Sequence, residues 1–386
     1  MFSRTANAPF VCARCIARQR RLYSSKGASP PPPPPPPSGA AKLTNRRLIS
    51  LHGDEAPKFM QGIVTNNVRA DSTAGFFAAF LTAPGKVLND VFVYPTLGSN
   101  WHKDVNGDEQ PGYLVEVDAH TAEMLLKHIK KHKLRSKFKL RMLEEGELNV
   151  WSKWSEEERW TAHTQGALEN GLLGLVDGRA PGMGHRILLP SSSQQAPPAE
   201  LDADEASLGA YTVRRYLRGV PEGQKEIPRD DSLPMNTNID IMGGIDFKKG
   251  CYIGQELTIR THHTGVVRRR ILPVQLYPHG EQPPEALAYN PDAVAESAED
   301  GTDIRRDDKR KRATGKLITS VGNVGLGMCR LEQMSDLTIS GEGSSFSPED
   351  RFLIQGADGQ ELGVKAFVPD WMRGKIREPK IQRRVE

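Results

Sequence analysis

Two glycines bracket a lone cysteine in Asp246-Phe247-Lys248-Lys249-Gly250-Cys251-Tyr252-Ile253-Gly254-Gln255-Glu256, and this stretch constrains the chain more than any other. Glycine at 250 and 254 lets the backbone turn tightly around the thiol and admits a close partner. Lys248 and Lys249 precede it and Arg260 follows, a basic setting that suits a working thiol. A single cysteine is more commonly a small core side chain. The two lysines argue against a buried strand, so both readings stay open on local sequence. A helix opening near Gly254 would turn its N-terminus toward Cys251. No Cys–His protease order surrounds His262 and His263, which read as polar loop residues.

Charge and cysteine count narrow the classes. Of the 52 basic residues nine lie before Asp54, a stretch without Asp or Glu, so 43 basic residues face 48 acidic ones in the remainder. A body of that balance is no general polyanion binder, because non-specific nucleic-acid affinity comes from neutralising phosphates. No apolar run approaches the roughly 20 residues of a membrane span. Residues 1–23 are Arg-rich and acid-free and read as a mitochondrial transit peptide, with Arg21-Leu22-Tyr23 as the processing site. Cys12 and Cys15 fall inside it with no second pair to complete a metal site. The mature chain then keeps Cys251 and Cys329 alone, too few for a zinc or cluster site of its own.

In chain order, 24–42 is a linker carrying the unbroken run Pro30 to Pro37, a polyproline spacer. Arg47 to His52 alternates as a strand, and Gly53-Asp54 supplies a turn and an N-cap for a short helix through Met60. Phe76–Leu81 and Val87–Tyr94 read as a hairpin across Thr82–Lys86. Gly98–Gly112 reads as a polar surface insertion, Tyr113–Val117 as a strand, Ala122–Leu134 as an amphipathic helix and Phe138–Leu143 as a strand. Leu208–Leu217 is helical in pattern. From Arg270 onward, short runs bounded by Gly or Asp suggest a small β-barrel, interrupted by a disordered insertion at 278–312.

Other candidates carry less. Asn89-Asp90 sits between apolar residues, where a carboxylate could bond an amine-bearing ring or face solvent at a strand edge. Arg179 and Arg186 flank a glycine-rich loop and could hold a carboxylate or form surface salt bridges. Cys329 reads as a buried strand cysteine. No phosphate-loop or dinucleotide fingerprint occurs.

Lys249-Gly250-Cys251-Tyr252-Ile253-Gly254-Gln255-Glu256 resembles the signature of the cysteine-containing branch of the glycine-cleavage T-protein (aminomethyltransferase) family. Gly53-Asp54 through Phe59-Met60-Gln61-Gly62 to Thr65-Asn66, Pro84 to Asp90, and Arg215 to Pro221 look like family segments in family order. Members of this branch with mitochondrial presequences are iron–sulfur cluster assembly factors, also described as candidate folate-dependent transferases.

The resemblance implies an α+β, three-lobed aminomethyltransferase-like fold, with folate-binding-type lobes over 43–272 and a C-terminal β-barrel over 273–386. It implies a mitochondrial matrix factor for [4Fe–4S] maturation that serves aconitase-type and radical-SAM enzymes such as lipoate and biotin synthase, alongside A-type scaffold proteins. Cys251 would be the functional thiol and a shared cluster ligand. A [4Fe–4S] or [2Fe–2S] cluster would then be held only transiently, since a cluster usually takes four thiolates. Asn89, Asp90, Lys249 and Gly250 would line a tetrahydrofolate pocket, although transferases of the family carry two consecutive acids where this chain has Asn89-Asp90. One-carbon transfer on tetrahydrofolate is the alternative activity. A tRNA-modification helper using Arg268-Arg269-Arg270 is a second alternative.

Overall fold

The first strand of the computed structural model, β1 (Ser38–Lys42), lies inside the stretch expected to be linker. It pairs along its whole length with β7 (Asn149–Ser155), from Ser38↔Ser155 to Lys42↔Trp151. The proline run before it is tied down as well: the Trp154 indole donates to Pro36 O at 3.0 Å, and the Tyr289 hydroxyl donates to Pro32 O. A polyproline segment makes no internal hydrogen bonds, so its carbonyls are free to accept such bonds. The structure describes residues 30–69, 71–156, 172–191, 201, 203–293, 298–308, 312–340, 343–356 and 359–376. The expected transit peptide, with Cys12 and Cys15, lies outside them. Among the described residues no helix is long and apolar enough to cross a membrane.

The strands β2 (Arg46–His52), β3 (Phe76–Leu81), β4 (Val87–Pro95), β5 (Gly112–Asp118) and β6 (Lys139–Met142) form an antiparallel sheet in the order β3-β4-β5-β2-β6. Successive side chains on a strand point to opposite faces, which splits each strand between two cores. Ile49, Phe80, Val91, Val93 and Val115 meet two helices, α1 (Ala56–Ile63) and, beyond the short α2 (Asn100–Val105), α3 (Ala122–Lys133). Leu48, Ala79, Phe92, Tyr94 and Leu114 face the other way, onto Trp154, Leu175, Leu188 and Tyr211 of a second lobe. That lobe is the sheet β10-β1-β7-β9-β8, completed by β8 (Leu173–Val176), β9 (His185–Leu189) and β10 (Glu205–Ala206). The expected helix start at Asp54 moves inward: Glu55 occupies the cap position and Pro57 the first turn. The stretch read as a surface insertion, Gly98–Gly112, contains α2 and buries His102.

The third lobe is a closed barrel of β11 (Arg269–Pro278), β12 (Asp303–Arg306), β13 (Ala313–Val321), β14 (Val324–Arg330), β15 (Phe352–Gln355) and β16 (Glu361–Ala366), ordered β11-β14-β13-β12-β15-β16. β12 falls within the insertion expected to lack structure, because Ile304 is fully buried in the barrel core and its strand pairs on both edges. The helix α4 (Leu208–Arg218) packs Val213 and Tyr216 against Ile271, Val324 and Leu326 of the barrel. Gly219 closes that helix in the left-handed conformation, φ 68°, which a residue without Cβ adopts freely.

Between the two sheets lies a fully buried ionic cluster. Arg46 on β2 donates through Nε to Glu116 Oε1 on β5 at 2.7 Å, and the Tyr94 hydroxyl donates to Glu116 Oε2 at 2.6 Å. From the second lobe, Arg186 pairs with Glu116, Glu222 and Asp177, while Arg179 grips Asp177 at 2.9 and 2.7 Å and Glu222 at 2.9 Å. Arg46, Glu116, Asp177, Arg179, Arg186 and Glu222 have fully buried side chains. Arg179 and Arg186 therefore do not form the surface pairs considered above. Strand alternation on β9 aims Arg186 inward, where its guanidinium also lies 4.1 Å from the Phe92 ring centroid, and Asp177 draws Arg179 in from the β8–β9 turn.

Burial opposes ionisation of Glu222 and Asp177, yet Arg186 and Arg179 outweigh it for Glu222, and Arg179 leads for Asp177, so both carboxyls sit below their ordinary range. Depressed folded pKa values contribute stability that is present above the unfolded carboxylate value of about 4 and is lost as pH falls through the folded values. Arg186→Met leaves Glu116 with Arg46 and Glu222 with Arg179 but the buried cluster one positive charge short, and is expected to destabilise by about 3–5 kcal/mol in denaturant unfolding at neutral pH. The gap between variant and parent should narrow as the pH falls toward and below about 4, because carboxyls that have lost a cation take up protons at higher pH than their depressed counterparts in the parent. A gap independent of pH would contradict this account.

Candidate functional site

The Cys251 loop is mounted on the end of α1. That helix has no basic residue in its own last turn. Lys249 supplies the cation from far along the chain: its ammonium donates to Gln61 O at 2.8 Å, Val64 O at 2.7 Å and Asn66 O at 2.7 Å. A positive charge satisfying carbonyls at a helix C-terminus also complements the helix dipole. Burial pushes the Lys249 ammonium down to about 8, with Asp246 pulling the other way.

Main-chain bonds hold both flanks of the loop. Asp246 N–H donates to Thr65 O at 3.1 Å, and Ile253 N–H donates to Gly62 O at 3.1 Å. Thr65 Oγ1 donates to Gly244 O at 2.6 Å, and Asn66 Nδ2 to Gly243 O at 2.9 Å. An Asx turn, Lys248 N–H to Asp246 Oδ1 at 2.8 Å, tightens the entry. Tyr252 is buried in the core shared by the two sheets.

After the cysteine, α5 (Gln255–Thr264) begins, with Gly254 as its cap at φ 79°. A Cβ on Gly254 would lie 2.3 Å from Thr82 O and 2.8 Å from Leu81 Cβ, so glycine is required for the loop to press against the β3–β4 turn. Gly250 is different: a Cβ there meets nothing within 4 Å. Its openness leaves room above the backbone beside the thiol. Cys251 is exposed, whereas Cys329 is fully buried in the barrel wall, where burial pushes its thiol up to about 12. His262 and His263 stand in the last turn of α5 rather than in a loop, and the ring of His262 stacks on Phe247 at 3.5 Å between centroids.

The residues expected around a folate are divided between two settings. Lys249 and Gly250 belong to the Cys251 loop. Asn89 and Asp90 lie fully buried on β4, one on each face. Asn89 Nδ2 donates to Thr121 Oγ1 at 2.8 Å and to Gln224 Oε1 at 2.9 Å. Asp90 accepts from Gly223 N–H at 3.1 and 3.2 Å and from Gln224 Nε2 at 3.0 Å, with Arg46 at 3.7 Å. A carboxylate so occupied by protein donors does not fit the task of holding a folate amine without rearrangement. The strand-edge reading of Asp90 is also corrected, since the inward face of β4 buries it. Arg270, counted with a basic edge, turns into the fold and forms a two-pronged pair with Asp240 at 2.8 Å each, leaving Arg268 and Arg269 exposed. The cradle Gln61–Asn66 escaped the sequence reading as a partner of Cys251; the pairing of Lys249 with a helix lacking its own terminal cation was the available signal.

A curated relative from Pyricularia oryzae, named iron-sulfur cluster assembly factor IBA57 homolog, mitochondrial, is 47% identical over 375 residues, covering 94% of this chain and 92% of that protein. The chain belongs to the IBA57 family. The Aspergillus fumigatus homolog of the same name is 44% identical over 405 residues, covering 95% of this chain and 90% of its own. The family described as CAF17, C-terminal beta-barrel domain, matches residues 268–374, the barrel lobe. Among solved structures, the glycine cleavage system aminomethyltransferase T from Bartonella henselae aligns with a TM-score of 0.59 at 13% identity, covering 89% of this chain and 88% of that one. At that identity the likeness establishes the aminomethyltransferase-like fold alone.

In this IBA57-family chain, Gly254→Ala is expected to destabilise by about 1–3 kcal/mol through the left-handed backbone and the clash with Thr82 O. Gly250→Ala should change stability by less than about 0.5 kcal/mol. Paired urea titrations of the two variants check this, and equal losses would show that the two glycines are not distinct.

Proposed function

We propose that the chain is an accessory factor for [4Fe–4S] cluster assembly in the mitochondrial matrix, and that Cys251 provides one ligand to a cluster shared with a partner. The observation that carries this reading is the contrast between its two cysteines after the presequence. Cys251 is exposed on a loop pinned by Lys249 and by main-chain bonds on both flanks, while Cys329 is sealed in the barrel. A thiolate is the form that binds iron, so the Cys251 proton leaves to solvent as sulfur meets metal. Because a cluster takes about four protein ligands, the others come from outside this chain. A-type scaffold proteins are the partner class, and aconitase-type and radical-SAM enzymes the clients. The cluster is cargo here, and the chain contributes the position of the sulfur.

The mount supports that role. Lys249 locks the residue two positions before Cys251 and the cap of α5 fixes the residue three after it, so the thiol is presented with little backbone freedom. Rigid presentation lowers the ordering cost of forming a joint site. Folate-dependent one-carbon transfer draws less support, because Asp90 is committed to Gly223, Gln224 and Arg46. A nucleic-acid role draws less still with Arg270 held by Asp240.

Cys251→Ser should leave the unfolding transition unchanged. It should abolish the visible charge-transfer absorption formed when the full-length chain, an A-type scaffold, iron and sulfide are combined without oxygen. Aconitase activity and protein lipoylation should fall in cells carrying only the variant. Full rescue by the serine form would remove the thiol from the mechanism.

A further inference from the structure

Away from the Cys251 loop, three metal-ligating side chains meet where β2, α2 and the turn before β5 converge. His52 ends β2 opposite Gly112, His102 sits in α2, and Asp108 follows the turn at Gly107. Ligand atoms from all three lie within 4.8 Å of one another. His52 Nε2 is 3.0 Å from Asp108 Oδ2, and His102 Nε2 is 3.8 Å from Asp108 Oδ1. An ion about 2.0–2.1 Å from each donor in tetrahedral array sets the donors about 3.3 Å apart, and these two spacings straddle that value. Both imidazoles are buried, with side chains 4% and 1% exposed, while the Asp108 carboxylate is 40% exposed and leaves a route from solvent.

The surroundings suit ligation. Thr96 Oγ1 lies 2.8 Å from His102 Nδ1 and turns the ring so that Nε2 faces Asp108. His102 Nε2 donates to Asp108 O at 3.0 Å while Nδ1 accepts from Thr96 Oγ1 and from Asn106 Nδ2 at 3.2 Å, so an ion at Nε2 would displace that proton and replace the bond to the carbonyl. His52 Nδ1 is buried with no hydrogen-bond partner among the described residues, while Nε2 donates to the Asp108 carboxylate, so an ion at Nε2 would take the place of the proton that now bridges the two groups. Glycine at 112 lets Thr96 and both rings pack closely, since a Cβ there would lie 2.4 Å from Thr96 Oγ1 and 3.3 Å from each Nδ1.

We propose that His52, His102 and Asp108 form a binding site for one divalent first-row metal ion, of the zinc or ferrous class that takes two imidazoles and a carboxylate. The remaining positions go to water on the Asp108 side. The ion would staple the segment Thr96–Gly112 to the end of β2, and it is separate from the cluster ligand Cys251.

The test titrates the metal-free full-length chain with Co²⁺ and then Zn²⁺, with an anaerobic Fe²⁺ arm to separate the two metal sources. One equivalent of Co²⁺ should give four- or five-coordinate d–d bands, displaced by whichever of Zn²⁺ and Fe²⁺ binds tighter, and saturating metal should raise the unfolding midpoint. Asp108→Asn, a surface change, should weaken binding by at least about tenfold, and Cys251→Ser should leave it unchanged. His52→Gln supplies a second ligand variant, to be read only where its far-ultraviolet spectrum matches the parent. No stoichiometric binding, an unchanged affinity in Asp108→Asn, or a thiolate-to-cobalt band lost in Cys251→Ser would each overturn the proposal.

Discussion

The clamp of Arg186 between Glu116, Asp177 and Glu222 is the interaction on which the arrangement of the first two lobes depends. Glu116 belongs to β5 of one sheet, Arg186 to β9 of the other, and Glu222 to the turn after α4, so one guanidinium ties three parts of the chain. Such a buried cluster adds little net stability against apolar residues of equal size. What it does impose is geometry, because any shift between the sheets would strand a charge away from water. The apolar contacts around Phe92 and Tyr211 then have one register in which to pack. The same constraint draws in Asp90 through Arg46 and turns an acid suited to ligand chemistry into a structural one.

A smaller version of this logic fixes the Cys251 loop. Lys249 satisfies three carbonyls at the end of α1, and the loop that bears it inherits the rigidity of that helix and of the sheet behind it. On the far side Gly254 is wedged against the β3–β4 turn. Cys251 is thereby held between two fixed points, both of which trace back to the first lobe. Electrostatics sets the entry and steric fit sets the exit.

The parts of this fold legible in the sequence are those governed by short-range periodicity. The β3–β4 hairpin, the amphipathic face of α3 and the short strands of the barrel all follow from residues a few positions apart. The linker and insertion boundaries were less legible. β1 and β12 are strands because of partners far along the chain, Trp151–Ser155 for one and β13 and β15 for the other. The surface alternatives for Arg179, Arg186 and Asp90 fail for the same reason: a charged side chain carries no local sign that its counter-ion is buried with it. His102 hid in a polar stretch whose composition suggested solvent. At the site, the glycines flanking Cys251 were visible, but only the structure separates Gly254, which sterics demands, from Gly250, which merely leaves space.

That space bears on what a lone thiol can do. A cluster bound by a single protein sulfur is weakly held, and weak holding defeats storage but suits transfer, since the cargo leaves when a better ligand set arrives. A deep pocket would slow the exchange by shielding the sulfur from the incoming ligands. An exposed cysteine on a soft loop would exchange freely but cost about 1–2 kcal/mol of backbone entropy for every residue ordered on docking. The loop described here avoids both costs, being open above Gly250 and stiff beneath through Lys249 and Ile253. On the proposed role, Cys329, whose thiol burial keeps protonated, would take no part in that exchange, so the direction of transfer would rest with the partner's ligands.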